Sequence, residues 1–432
     1  MATTAGVTKG EASNGKTKPP PTGKHPAARD VPAPRGLPLI GSLHQVDVRV
    51  IHHKLEEWAR ELGPQFRFRM GPREIVVFAD PKDSALVLRM RPDGFRRIRP
   101  MEEIFTEIGL PGVFSSEGAS WRSQRRLAME ALAQRHLRAF FPSLLEVLRR
   151  FQRRLARFAA DGRPVDIKSE LMRFTVDVTT RLAFDYDINT IEREGDRIQQ
   201  RIDLVFPMIF RRLMAPFPRW HYLKLPADRE FERAISDINA FLLPIIAQAR
   251  ARIESAPEPA PQNFLEAMLL ARDEDGSRFS DEVILGNAWT MLLAGEDTTA
   301  NTLAWAIHHL CDDAASTERL RQEVDGLGDA RMITQLAELA ELPFAGAVAS
   351  EAMRLRPVAA FIGVEAIDDT EVGGLRLPAG TAVMVAVSAL GKDPRSFSDP
   401  LRFDPARWLS ARAAHDEVIA IGVEAVGVVE NH

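Results

Sequence analysis

The stretch SDEVILGNAWTMLLAGEDTTANTLAWAIHHLCDD, residues 280–313, decides how the rest of the chain is read. Ser280 is a favoured N-cap type, and Asp281 and Glu282 suit the positive end of a helix dipole. No proline interrupts residues 281–311. The spacing therefore predicts one helix of roughly 45 Å, long enough to cross a whole domain. Apolar residues cover nearly every side of its flanks, which predicts burial. The middle, AGEDTTANT, is polar. Burying a carboxylate and several hydroxyls costs several kcal/mol per unpaired charge unless something there uses them. Two helices meeting at an N-cap in GEDTT would account for this, but the apolar periodicity continues on both sides. The other reading is a distorted turn beside a cofactor. In it Ala294 and Gly295 remove bulk so that a flat ligand can approach, Thr298 bonds back to a carbonyl, and Asp297 offers a proton source.

Outward from this helix the texture stays helical over about residues 120–350, with apolar residues three and four apart in LLEVLRRFQRRLARF and INAFLLPIIAQARARI. ESAPEPAPQ breaks that pattern but is short, so it reads as a loop within one domain. Upstream, IHHKLEEWARELG predicts a helix and QFRFRMGPREIVVFADP two strands around a Gly71-Pro72 turn. After residue 357, EVGGLRLPAGTAVMVAVSALG turns β-rich. The expected fold class is mainly α with a small β portion. Residues 1–30 predict a disordered, mildly basic tail, 31–410 a single domain, and 411–432 an atypical C-terminal tail. The composition is that of an ordinary globular chain, with 45% hydrophobic and 27% charged residues and a net charge of -4. No basic run points to nucleic acid, and no apolar run is long enough for a membrane span. One cysteine excludes an internal disulfide framework and fits a reducing compartment, so a cytoplasmic location is expected.

Several further motifs stand in order along the chain: PAPRGLPLIGSL, WRSQRR, LMRFTVDVTTRLAFDYD, EAMR and FDPARW. Together with AGEDTT they resemble the cytochrome P-450 superfamily of haem-thiolate monooxygenases. The resemblance extends over residues 31–409. It implies the P-450 fold, haem b as cofactor, and hydroxylation of an apolar small-molecule substrate with dioxygen. Asp297 and Thr298 would deliver protons to iron-bound dioxygen. Trp121 and Arg125 would contact the haem propionates, with Ala294 and Gly295 beside the haem. Glu351, Arg354 and Arg407 would form a structural Glu-Arg-Arg lock. Val358 to Phe361 and the stretch Phe105 to Phe114 would line the substrate pocket. Electrons would come from external donors of the ferredoxin or flavodoxin type with a reductase.

The pattern breaks at its defining element. The family's loop Phe-x-x-Gly-x-Arg-x-Cys-x-Gly supplies the thiolate that ligates the iron. Here RWLSARAAHDE is followed by VIAIGVEAVGVVENH, so the expected domain is C-terminally incomplete. Cys311, the only cysteine, lies thirteen residues beyond Thr298 on the same helix. That is about 20 Å away, on the wrong side of a cofactor. It is not expected to bind iron and reads as a small buried apolar residue. His415 and His432 lack a surrounding site. A frameshift or truncation after about residue 417 is the favoured explanation, with real divergence as the other. The chain is then expected to be poorly stable and inactive as a monooxygenase. A haem-free binding scaffold and a peroxide-using member of the same family are the competing readings.

Overall fold

A computed structural model describes residues 30–193, 197–215, 217–257, 260–328 and 331–409. The expected tails therefore lie almost wholly outside the described residues, as do His415, His432 and the segment after Leu409. The helices are α1 (Ile51–Leu62), α2 (Pro81–Arg89), α3 (Arg99–Glu107), α4 (Gly118–Ala131), α5 (Gln134–Ala160), α6 (Ile167–Phe184), α7 (Arg197–Leu213), α8 (Pro226–Ser255), α9 (Phe264–Leu270), α10 (Asp281–Asp312), α11 (Ala314–Asp325), α12 (Pro343–Leu355) and α13 (Val387–Leu390). The strands are β1 (Gln65–Met70), β2 (Arg73–Phe78), β3 (Phe95–Arg97), β4 (Ile362–Ala366), β5 (Thr370–Val372), β6 (Leu375–Leu377) and β7 (Ala382–Val385). The fold is mainly helical with a small β portion, as the sequence predicts.

The helix α10 is one continuous element of 32 residues, and the Ser280 side chain accepts from the Val283 N–H at its start. No break or second helix occurs at GEDTT. It packs along α6 and contacts α12, α8, α9 and α4. Ile284, Ala288, Trp289, Leu292 and Leu293 from α10 meet the buried faces of α7, α8 and α9 in the largest apolar cluster. Polar pins fix this packing. Trp289 Nε1 donates to Asn239 Oδ1 of α8 at 2.6 Å. Asn287 Nδ2 donates to Gln124 Oε1 of α4 at 2.9 Å, while its Oδ1 accepts from the Val113 N–H at 3.1 Å.

The strands form a sheet of order β1-β2-β7-β4-β3 and a separate β5-β6 pair. β1 and β2 pair antiparallel with Gln65 opposite Phe78, so the Gly71-Pro72 turn joins them. β2 and β7 run parallel with Val76 opposite Val383, and β4 runs antiparallel to β7. Alternate residues of these strands, including Val76, Phe78, Val364, Val383 and Val385, share one core. No helix among the described residues is long and apolar enough to cross a membrane.

Candidate active site

Two cavities meet against the middle of α10. The larger, about 1250 Å³, is walled by Asp297, Asn301 and Trp305 of α10, by Met384 of β7, and by the segment that follows α12. The smaller, about 990 Å³, lies between α10, α7 and the Phe105–Phe114 stretch and includes Ala294, Glu296, Asp297 and Thr298. Asp297, Phe114, Phe210, Val358 and Ala359 border both. Val358 to Phe361 line the larger cavity, and Phe105, Leu110 and Phe114 line the smaller, where the sequence placed a pocket.

The helical repeat presents a polar ladder to this junction. Thr298 Oγ1 donates to the Ala294 carbonyl at 2.6 Å, and Thr302 Oγ1 donates to the Thr298 carbonyl at 2.9 Å. Asn301 Nδ2 donates to Asp297 Oδ1 at 2.6 Å and to the Asp297 carbonyl at 2.7 Å. Residues four apart face the same side of a helix; of this ladder Asp297 and Asn301 line the larger cavity, Asp297 and Thr298 the smaller, and Thr302 lines neither. Gly295 does not serve the cavity. A Cβ there would collide with Thr179 Oγ1 of α6, so the missing side chain lets α6 close on α10. That corrects the expectation that Gly295 clears space for a flat ligand; Ala294 alone of the pair lines a cavity.

Trp121 and Arg125 sit one turn apart on α4, both partly buried, and neither lines the two cavities. Among the several cations that line the larger cavity, Arg97 at the end of β3 is set deep against Phe114. Only 16% of its side chain is exposed, its guanidinium lies 4.6 Å from the Phe114 ring centroid, and its Nε has no hydrogen-bond partner. Burial, together with the neighbouring Arg91, lowers its pKa to about 10 against the pull of Glu117. Arg356 joins it on the same cavity, stacked 4.9 Å from the Trp305 ring. Arg97, whose carboxylate partner is Glu117 at 3.9 Å, and Arg356 on the same cavity put positive charge where a carboxylate-bearing ligand could bind. The run FRRIRP was the signal in the sequence, but nothing in it marked which arginine turns inward.

Glu296 is also absent from the sequence expectations. It is 1% exposed, and neither carboxyl oxygen has a hydrogen-bond partner. Burial first, then the Asp203 and Asp297 charges, push its pKa up to about 9.

Behind the larger cavity, Glu351, Arg354 and Arg407 come together. Arg354 Nε and Nη2 donate to the two Glu351 oxygens at 2.8 and 2.7 Å. Arg407 Nε donates to Glu351 Oε1 at 3.1 Å, and Trp408 Nε1 donates to Oε2 at 2.9 Å. Burial pushes the Glu351 carboxyl up, but hydrogen bonding and charge from Arg354 outweigh it and hold it below the ordinary value.

Cys311 is exposed, not buried, near the last turn of α10. The reason is local: the helix leaves the core there, and its last turn carries His309 stacked 4.9 Å from Phe403 while Cys311 points outward. It lines neither cavity.

The fit to a flat, carboxylate-bearing cofactor is therefore good along the α10 wall and the Arg97 edge. A thiolate ligand is not supplied from this set, because among the described residues no cysteine lines either cavity. A family model described as Cytochrome P450 matches residues 31–420. Cyclooctatin synthase of Streptomyces melanosporofaciens is 29% identical over 399 residues, which cover 91% of this chain and 83% of that protein. Cyclooctat-9-en-7-ol 5-monooxygenase of the same organism is 28% identical over 398 residues, covering 89% and 81%. Cytochrome P450 93A2 of Glycine max is 26% identical over 411 residues, covering 90% and 80%.

Proposed function

The chain belongs to the cytochrome P450 family of haem monooxygenases, and from that premise we propose which residues of this chain do which part of the work. The observation that carries the reading is the Asp297–Thr298 pair at the junction of the two cavities. Haem, when bound, supplies dioxygen activation and oxygen transfer to carbon. Arg97 and Arg356 would hold its carboxylates, with Trp121 and Arg125 approaching from α4. Asn301 fixes the Asp297 carboxyl, so its second oxygen is left to exchange a proton with cavity water. Thr298 keeps its own proton on the Ala294 carbonyl, so its oxygen lone pairs can accept a hydrogen bond from the same water and hold it in place. Acid and alcohol thereby offer a short proton path into a largely apolar chamber.

The chamber wall of Phe105, Leu110, Phe206 and Phe210 supports an apolar substrate, as does the alkenol in the name of one relative. A ferredoxin- or flavodoxin-type donor with its reductase and a cytoplasmic location complete the proposal. For the 432 residues in hand we further propose that haem is held without thiolate ligation, because the single cysteine is exposed at the far end of α10. Titrating the purified chain with haem tests the reading. Saturable, stoichiometric binding is expected, and its absence would favour a haem-free scaffold. The reduced carbon monoxide difference spectrum should lack the thiolate-type Soret shift; its appearance would refute the ligation proposal and the inactivity that follows from it.

A further inference from the structure

The smaller cavity holds a charge arrangement that an apolar substrate alone does not explain. Glu296, on α10, lines it at 1% exposure with both carboxyl oxygens unpartnered among the described residues. Asp203 reaches the same cavity from α7, and Asp297 borders it one residue along α10. The cations on this cavity are Lys168 and Arg173 of α6. Arg173 is committed elsewhere, donating to the Thr190 carbonyl at 2.9 Å and lying 4.0 Å from Glu170. Lys168 is exposed and acts on Asp203, not on Glu296. A buried carboxyl beside two others, with no cation of its own among the described residues, is a costly arrangement without a ligand.

We propose that Glu296 anchors a basic nitrogen, so that this chamber takes an apolar substrate carrying a primary or secondary amine, bound as its ammonium against Glu296 with Asp203 and Asp297 nearby. An ammonium brings the missing countercharge and up to three donors for orphaned carboxylate oxygens. The raised pKa of Glu296 gives the event a signature. At neutral pH the empty site holds Glu296 protonated. When an ammonium enters from solution, Glu296 ionises and its carboxyl proton passes to the buffer, up to one per ligand bound.

The inference rests on the cavity being the substrate chamber proposed above, and the test separates the two. Isothermal titration calorimetry of the purified full chain, in two buffers of different ionisation enthalpy, would compare 1-adamantanamine with 1-adamantanol. The amine should bind at least ~10-fold tighter, the worth of one charge-assisted contact, and should release a proton. Glu296→Gln should abolish the release and bring the amine down to the alcohol, whose own affinity stays unchanged. Asp203→Asn, on the open wall, should weaken the amine severalfold while the proton release persists. Equal binding of amine and alcohol by the parent, an amine preference retained in Glu296→Gln, or binding of neither compound would overturn the proposal. Haem titration of the same Glu296→Gln preparation judges the monooxygenase reading independently.

Discussion

Glu296 and Gly295 are neighbours in sequence, and each is explained by the helix opposite it. Without ligand, Glu296 keeps a proton in the folded state up to a pKa of about 9, whereas the ordinary value is 4.5. The folded state then binds more protons than the unfolded chain across that window. Stability contributed at this position is therefore greatest below pH 4.5 and falls as pH rises toward 9. Glu296→Gln is equally unpartnered but cannot ionise in either state. Urea unfolding should find the variant more stable than the parent at pH 8, by on the order of a few kcal/mol, and nearly equal to it at pH 4. A constant difference at both values would mean that Glu296 does not titrate with folding. Gly295→Ala should destabilise by about 1–3 kcal/mol, because its Cβ meets Thr179 in a closed helix contact. Adding Thr179→Ala should recover part of that loss in a double-mutant cycle. Strict additivity would place the strain elsewhere.

At the scale of elements, the long helix was legible because apolar flanks, an N-cap and the lack of proline agree over thirty residues. The hairpin of β1 and β2 was legible from its turn. The five-strand order was not, since β2 pairs with β7 across some three hundred residues and local pattern carries no such information. The site divided in the same way. Asp297 and Thr298 were readable because residue type and helical phase both place them. Arg97 and Glu296 become special only through what Phe114, Glu117 and α7 bring against them. Another such long-range device is Glu107 at the end of α3. It accepts from Trp220 Nε1 at 2.8 and 3.0 Å, pairs with Arg212 of α7 at 3.2 Å, and contacts His221 Nε2 at 2.9 Å. One carboxylate thus ties the cavity-lining α7 and the 219–221 turn to α3. Glu107→Gln should loosen this connection, with amide exchange across residues 210–222 faster by roughly tenfold, the loss of one charged hydrogen bond. Unchanged exchange there would show that apolar packing alone holds the turn.

Over the whole molecule, the Glu351 cluster adds polar ties between α12 and the 391–408 segment, whose Phe403 and Trp408 also pack on the apolar cluster of Phe344, Ala347, Val348 and Ala352. Arg354 Nη1 donates to the Gly391 carbonyl at 2.5 Å and to the Pro400 carbonyl at 2.6 Å, and Nη2 donates to the Arg402 carbonyl at 3.0 Å. The Asp404 N–H donates to Glu351 Oε1 at 2.9 Å. With Arg407 and Trp408 this ties α12 to the entire 391–408 segment, which in turn packs beside the sheet through Phe397. Glu351 is fully buried and Arg354 nearly so. Removing one partner therefore strands a charge, and does not merely delete a surface contact. Glu351→Gln should cost about 3–5 kcal/mol at pH 7. The Glu351 pKa is depressed below 4.5 on folding. Its contribution is thus fully present above that value and is lost as pH falls through the lower folded value. The gap between parent and Glu351→Gln should accordingly hold from pH 7 to pH 5 and narrow below pH 4.5, as read from urea unfolding at each pH. A gap that persists unchanged into strong acid would mean that the carboxylate charge is not what holds the segment, and that Trp408 packing and the Arg354 carbonyl bonds suffice.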